Sequence, residues 1–492
     1  MARRNTRVEV GDRAREAMAV SAEIVRRHAD SDEPVYGVST GFGSLATVPI
    51  PRERRLELQR SLIVSHAAGM GPPVEREVVR AMMLLRARTL AMGRSGTRPE
   101  VADAICALLN AGITPVVPEH GSLGASGDLA PLAHCALALI GEGEVDSPAG
   151  RSAAADALAG AGIEPLVLTE KEGLALINGT DGILGMLVLA IVDLGLLLRT
   201  ADIAAAMSVE ALLGTDRAFA EDLVALRPQP GQARSAANLR RLLAGSAVVA
   251  SHRYGDPRVQ DAYSLRCAPQ VLGAARDALE NAEATAASEL LAAIDNPMVM
   301  PDGRVESCGN FHGAPLGLAC DTLAIAIAQV GAIAERRTDR LLDPKRSQGL
   351  PPFLAADPGV DSGMMIAHYT QAAMVATNRR LAVPASSDSI PTSAMQEDHV
   401  SMAWGAARKL REAVANLRRI IAVELVCAAR GLELRSPLEP AAGTGAALTV
   451  IREADAGPGI DRYLAPELEA VTELISSAAV SAAAEAAIGE LA

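Results

Sequence analysis

The chain is 492 residues long, 49% hydrophobic and 2% aromatic, with a formal net charge of -13. An acidic surface opposes phosphate backbones and anionic lipid, and so few aromatic rings leave no stacking platform; nucleic acid and membrane surfaces are excluded as partners. Six scattered cysteines (Cys106, Cys135, Cys267, Cys308, Cys320 and Cys427) show neither CxxC spacing nor a compact framework, which predicts free thiols in a cytoplasmic protein rather than disulfides or zinc.

The N-terminal stretch MARRNTRVEVGDRAREAM is basic but lacks the apolar core of a signal peptide. Three glycine-rich loops follow: YGVSTGFG at Tyr36–Gly43, GSLGASGDLAPLAH at Gly121–His134 and LINGTDG at Leu176–Gly182. From Ile183 to Leu213, alanine and leucine dominate and breakers are few, which predicts one long helix. Its apolar run, Ile183 to Leu198, is interrupted by Asp193 and is short for a bilayer, so a buried helix is expected. Next come the loops VQDAYSLR (Val259–Arg266) and GNFHG (Gly309–Gly313), a long helix from Pro315 to Leu342, the loop SAMQEDH (Ser393–His399) and a third long helix from His399 to Leu432. Helices apolar around so much of their circumference must pack in a bundle or across subunits. The expected fold is mainly α: a loop-rich N-terminal part, residues 1–195, and a central helical bundle, residues 196–492, in one compact unit.

The loop around Ala125-Ser126-Gly127 stands apart. GASGD has aspartate where a nucleophile elbow needs its last glycine, and it lacks the Lys-Ser/Thr ending of a phosphate loop. Two readings remain. One is a small-residue turn in which Asp128 caps a helix. The other is backbone condensation, in which the Gly127 nitrogen attacks the Ala125 carbonyl; glycine has no Cβ to block that approach, and a strained loop drives it.

GSLGASGDLAPLAH closely resembles the signature of the aromatic amino acid ammonia-lyases, in which such a triplet cyclises to 4-methylidene-imidazol-5-one. The resemblance runs from Tyr36 to about Leu434 and includes YGVSTGFG, LQRSLIVSHAAG, KEGLALINGT, VQDAYSLRC, NFHGAP, AERRTDRLLD and QEDHVSMA in the family's order. It implies a mostly helical fold shared with the fumarase and aspartase group, and a homotetramer whose sites draw residues from three subunits. Ser65-His66 and Glu397 resemble the branch that acts on histidine, where phenylalanine lyases carry an apolar pair and a glutamine. A phenyl ring would leave such groups unpaired, at roughly 1–3 kcal/mol each. A tyrosine or phenylalanine lyase, or an aminomutase, is the alternative within the family; a non-catalytic paralogue is the alternative outside its chemistry.

The resemblance also implies roles. Ala125, Ser126 and Gly127 form the electrophile, while Asp128 and Phe311 support its closure. Tyr36 is the base, its phenol requiring a downward shift from about 10 to work at neutral pH. Tyr263 assists proton transfer, Gln260 orients substrate, and Asn178 holds the ring's carbonyl and the departing amine. Arg266 grips the α-carboxylate with its planar fork. If helical, Gln260, Tyr263 and Arg266 fall at i, i+3 and i+6 and face one cavity. His66 and Glu397 bind the imidazole, with Glu397 an alternative base. His134, His312, Asp398 and His399 lie nearby without metal-ligand spacing, so no metal is expected. Asp181 departs from the histidine branch, where glutamine is common, as do Ala268 and Gly313-Ala314.

Overall fold

A computed structural model describes residues 1–31, 34–124 and 127–492. Among them, helices predominate, and strands form three small sheets of two, three and two strands. The chain divides into two compact units, each assembled from separated segments. The first comprises residues 1–189, 284–320 and 384–408; the second comprises 190–283, 321–383 and 409–492. The expected boundary near 195 thus falls at Leu189, and two later segments rejoin the first unit.

All three sheets belong to the first unit, and the helices lying wholly within it are 18 residues or shorter. Pro99–Asn110 is typical: proline at its start fixes φ and gives up an amide with no helical partner. It buries Val101, Ala102, Ile105, Cys106, Leu108 and Leu109 on one face. Helix Arg55–His66 packs against Leu129–Leu139 and Glu172–Ile177, and these three position the site. The approach of Glu172–Ile177 is so close that a Cβ on Gly173 would lie 2.6 Å from the Gln59 carbonyl oxygen.

The second unit is helices and loops among its described residues. The three long helices expected from composition are Asp181–Ala211, Ala314–Leu342 and Ala403–Glu433. Charges within them are buried in pairs. Asp193 meets Arg411 at 3.0 Å, Arg276 meets Asp202 at 2.6 Å, and Arg337 and Glu424 pair with no exposure. Two helical stretches, Glu172–Ala211 and Ala314–Leu342, are long and apolar enough to cross a membrane, with mean hydropathies of 2.2 and 1.8. Their most apolar windows are 72% and 50% buried within the protein. Asp193, Asp202 and Glu210 on the first are met by protein partners, as suits a helix packed on protein.

Candidate functional site

Ala125 and Ser126 lie outside the described residues, but both flanks of the pair are fixed. On one side, Leu123 and Gly124 present carbonyls to the Met402 amide (2.8 Å), the Ser401 hydroxyl (2.8 Å) and the Gly313 amide (3.2 Å). On the other, Gly127 has φ +74°, and a Cβ there would meet the Gly179 carbonyl oxygen at 2.2 Å. No residue with a side chain fits. That is the cradle the condensation reading requires, since the attacking nitrogen belongs to the residue with nothing in the way.

Asp128 does not cap the helix that follows it; Leu129–Leu139 has no side-chain cap. Its carboxyl group instead accepts from the Gly182 and Ile183 amides (2.8 and 3.0 Å) at the start of Asp181–Ala211, and from Ser122 Oγ (2.9 Å). Complete burial pushes the Asp128 carboxyl up to about 7 despite those three donors. Asp128 therefore ties the loop to the NGT segment, reinforced by its own amide donating to the Gly179 carbonyl at 2.7 Å. Asp181 sits beside it, 3.3 Å from Arg86 with both buried, so its departure from glutamine supplies a counter-charge in this setting.

A cavity of about 530 Å³ in the first unit is lined by Tyr36, Ser65, His66, Leu174, Asn178 and Glu397, among others. A second, of about 460 Å³, shares Tyr36, Gly43, Asn296 and Glu397 with it and adds Phe311, Cys308, His312 and His399. The Tyr36 hydroxyl accepts from the Gly43 amide (3.1 Å), and its ring meets Phe42 edge-on at 6.2 Å. The expected downward shift of Tyr36 is not found within this chain. Burial pushes the phenol up, the Gly43 amide pulls it down, and the Glu397 and Asp295 carboxylates push it further up.

Ser65 Oγ lies 3.1 Å from both the Leu62 carbonyl and His66 Nδ1; when its hydrogen is given to the Leu62 carbonyl, it accepts from Nδ1–H and Nε2 is the ring's acceptor. Burial holds the His66 imidazole below its usual value, with the Leu62 carbonyl and Glu397 opposing. Glu397 accepts from Thr392 Oγ1 at 3.2 Å. Asn178, buried at the end of Glu172–Ile177, donates to the Asn296 carbonyl at 2.8 Å.

Gln260, Tyr263 and Arg266 do not line the Tyr36 cavity. They line another, of about 380 Å³, in the second unit. Only Tyr263–Arg266 is helical, with Gln260 in the bend before it. Tyr263 is exposed, and the Arg266 guanidinium lies 4.7 Å from its ring centroid. His312 and His399 stack at 5.6 Å, and His134 Nε2 accepts from the Gly69 amide. Among the described residues, no group of three or more His, Cys, Asp or Glu is placed to hold a metal ion, and all six cysteines are free.

Four residues near the site were not singled out from sequence: Ser122, Lys171, Asp295 and Ser401. Lys171 and Asp295 form an ion pair at 2.7 Å with no exposure on either side. One signal was available, the charged pair Lys171-Glu172 directly before the apolar turn GLALI, where a charge needs a buried partner.

Residues 1–453 match the family model for aromatic amino acid lyase. The histidine ammonia-lyase of Streptomyces avermitilis is 60% identical over 494 residues, covering 100% of this chain and 96% of that protein. The crystal structure of histidine ammonia-lyase from Trypanosoma cruzi superposes with a TM-score of 0.91 at 39% identity, over 99% of this chain and 92% of that one. Tyrosine aminomutase from Streptomyces globisporus gives 0.94 at 37% identity, over 100% and 97%. Backbone likeness therefore does not separate a lyase from an aminomutase, whereas the match along the whole sequence fixes what they share. On that match, the chain belongs to the aromatic amino acid lyase family.

Proposed function

We propose that this protein eliminates ammonia from L-histidine to give trans-urocanate, using a 4-methylidene-imidazol-5-one formed from Ala125-Ser126-Gly127. What supports the choice of substrate is that His66 and Glu397, two groups able to hydrogen-bond an imidazole, line the same cavity as Tyr36. The prosthetic group supplies an electrophilic carbon that no side chain provides. The chain's own residues do the rest. His66 Nε2 accepts the substrate's imidazole N–H, and Glu397 fixes the ring's other edge. Tyr36, as phenolate, takes the β-proton. Asn178 accepts from the amine, and Arg266 grips the α-carboxylate.

Arg266, Gln260 and Tyr263 belong to a different cavity from Tyr36, which favours a homotetramer in which one copy completes the site of another. A cytoplasmic location, without metal, membrane or nucleic acid, completes the reading. A tyrosine or phenylalanine lyase or an aminomutase is the second reading, since a tyrosine aminomutase superposes as well as a histidine lyase does. A phenol or phenyl ring would leave His66 and Glu397 without their full partners.

Purified protein given L-histidine, L-phenylalanine or L-tyrosine separately, with the ultraviolet absorbance of each unsaturated acid followed, is expected to yield urocanate from histidine. Cinnamate or coumarate without urocanate overturns the substrate, and a β-amino acid product marks an aminomutase. Intact mass is expected to fall short of the encoded chain by two waters. Ser126→Ala should restore the full mass and abolish turnover.

A further inference from the structure

Asn178 carries information beyond its place in the cavity. It is 3% exposed, and its Oδ1 has no partner among the described residues. Its nitrogen is committed: Nδ2 donates to the Asn296 carbonyl at 2.8 Å and lies 3.4 Å from Asp295 Oδ1. Both neighbours are acceptors only, so turning the amide over would set oxygen against oxygen.

Asp295 is held in turn. Its Oδ2 takes Lys171 Nζ at 2.7 Å, and its Oδ1 takes the Asn296 amide at 2.7 Å. Neither Lys171 nor Asp295 touches water. Such a pair is costly to desolvate, and apolar residues of similar volume would often serve stability as well, so stability alone does not account for it beside the cavity-lining Asn178. Asp295 also supplies a fixed negative charge behind the amide nitrogen, which strengthens the amide's preference for pointing its own oxygen away.

From this geometry we propose that Lys171 and Asp295 are positioning residues that commit the nitrogen of Asn178, a residue lining the cavity, and leave its carbonyl oxygen as the amide's one unpartnered group, a dedicated acceptor for the substrate's α-ammonium. The inference rests on the amino acid elimination proposed above, and it sharpens the expectation for Asn178: as held, the amide has no hydrogen left to give a ring carbonyl.

The test compares an amino acid with its own deamino acid on the full-length protein. L-Histidine is the substrate, and 3-(imidazol-4-yl)propanoate, which keeps the ring and carboxylate, is the competitive inhibitor. In the double variant Lys171→Met/Asp295→Asn, KM for L-histidine is expected to rise about tenfold or more, the scale of one hydrogen bond to a charged group. The inhibition constant of the deamino acid should stay within about twofold, and the two-water mass deficit should be kept. Asn178→Ala leaves the buried pair whole and should give the same selective loss; if the double variant does not fold, an Asn178→Ala protein that weakens both ligands equally, or neither, still overturns the inference. Equal weakening of both ligands, or no change in either, overturns the inference. If the wild-type protein turns over another amino acid, that substrate and its own deamino acid replace the histidine pair. Failure of the histidine reading and failure of the positioning role are thus separate results.

Discussion

The Tyr36 cavity and the Arg266 cavity have opposite chemistry. Around the first, Glu397 and the Asn178 oxygen offer acceptors, and no lysine or arginine appears among the lining residues. The second is lined by Arg258, Arg266, Arg340 and Arg346 against Asp261. Arg258 is neutralised by Asp256 at 2.7 Å, and Arg346 by Asp343. Arg266 has only the Tyr263 ring beneath it, and its buried Nε has no partner among the described residues. A zwitterionic amino acid needs acceptors for its ammonium and a fork for its carboxylate. The acceptors of the first cavity suit the ammonium of such a substrate, and the Arg266 fork in the second suits its carboxylate.

The sharpest way to break the comparison is to remove the electrophile and leave both cavities intact. Gly127→Ala places a Cβ 2.2 Å from the Gly179 carbonyl oxygen. Ring closure is expected to fail, activity to drop to background, and intact mass to show no water deficit; a variant that keeps the deficit would refute the cradle.

Next, Tyr36→Phe should lower kcat by about 10²–10⁴-fold. Arg266→Ala should raise KM by about 10–100-fold, the scale of charge-assisted hydrogen bonds. Unfolding and refolding the two variants together, assayed at histidine far below the KM of Arg266→Ala where neither variant alone turns over appreciably, should restore about a quarter of wild-type activity if each site takes Tyr36 and Arg266 from different copies. No recovery would place both halves in one chain.

A smaller effect concerns pH. A phenol raised above its ordinary value is mostly protonated at neutrality, so the activity requiring its phenolate should climb with pH into the alkaline range. Glu397→Gln removes a neighbouring negative charge, which lowers the Tyr36 pKa, and the rising limb should move to lower pH by up to about one unit. If Glu397 is itself the base, the limb is lost rather than shifted. Least affected should be Arg346→Ala: this exposed cation already has Asp343 and Asp339, and KM should stay within about twofold.

Much of this follows from local sequence, and the exceptions share one cause. The long helices are recorded in runs of alanine and leucine, and Asp181–Ala211 and Ala314–Leu342 lie within two residues of their expected ends. The third begins four residues late, at Ala403, because Ser401 and Met402 are used to hold the loop at Leu123 and Gly124. The boundary near 195 assumed a chain divided once, whereas segments 284–320 and 384–408 return to the first unit. Lys171 and Asp295 are 124 positions apart, and no periodicity joins them. Within this chain the Tyr36 phenol is raised for the same reason: a motif names a base, but not the burial, nor the carboxylates of Glu397 and Asp295, that folding sets around it.

The contact of Gly127 with Gly179 has a consequence for the history of each molecule. The two glycines are more than fifty positions apart and meet only once the NGT segment is in place, so a ring formed as proposed closes after these segments have come together. A deficit of two waters would then be a lasting record: a chain that carries it has brought the two segments together at least once, even if it is later recovered from urea.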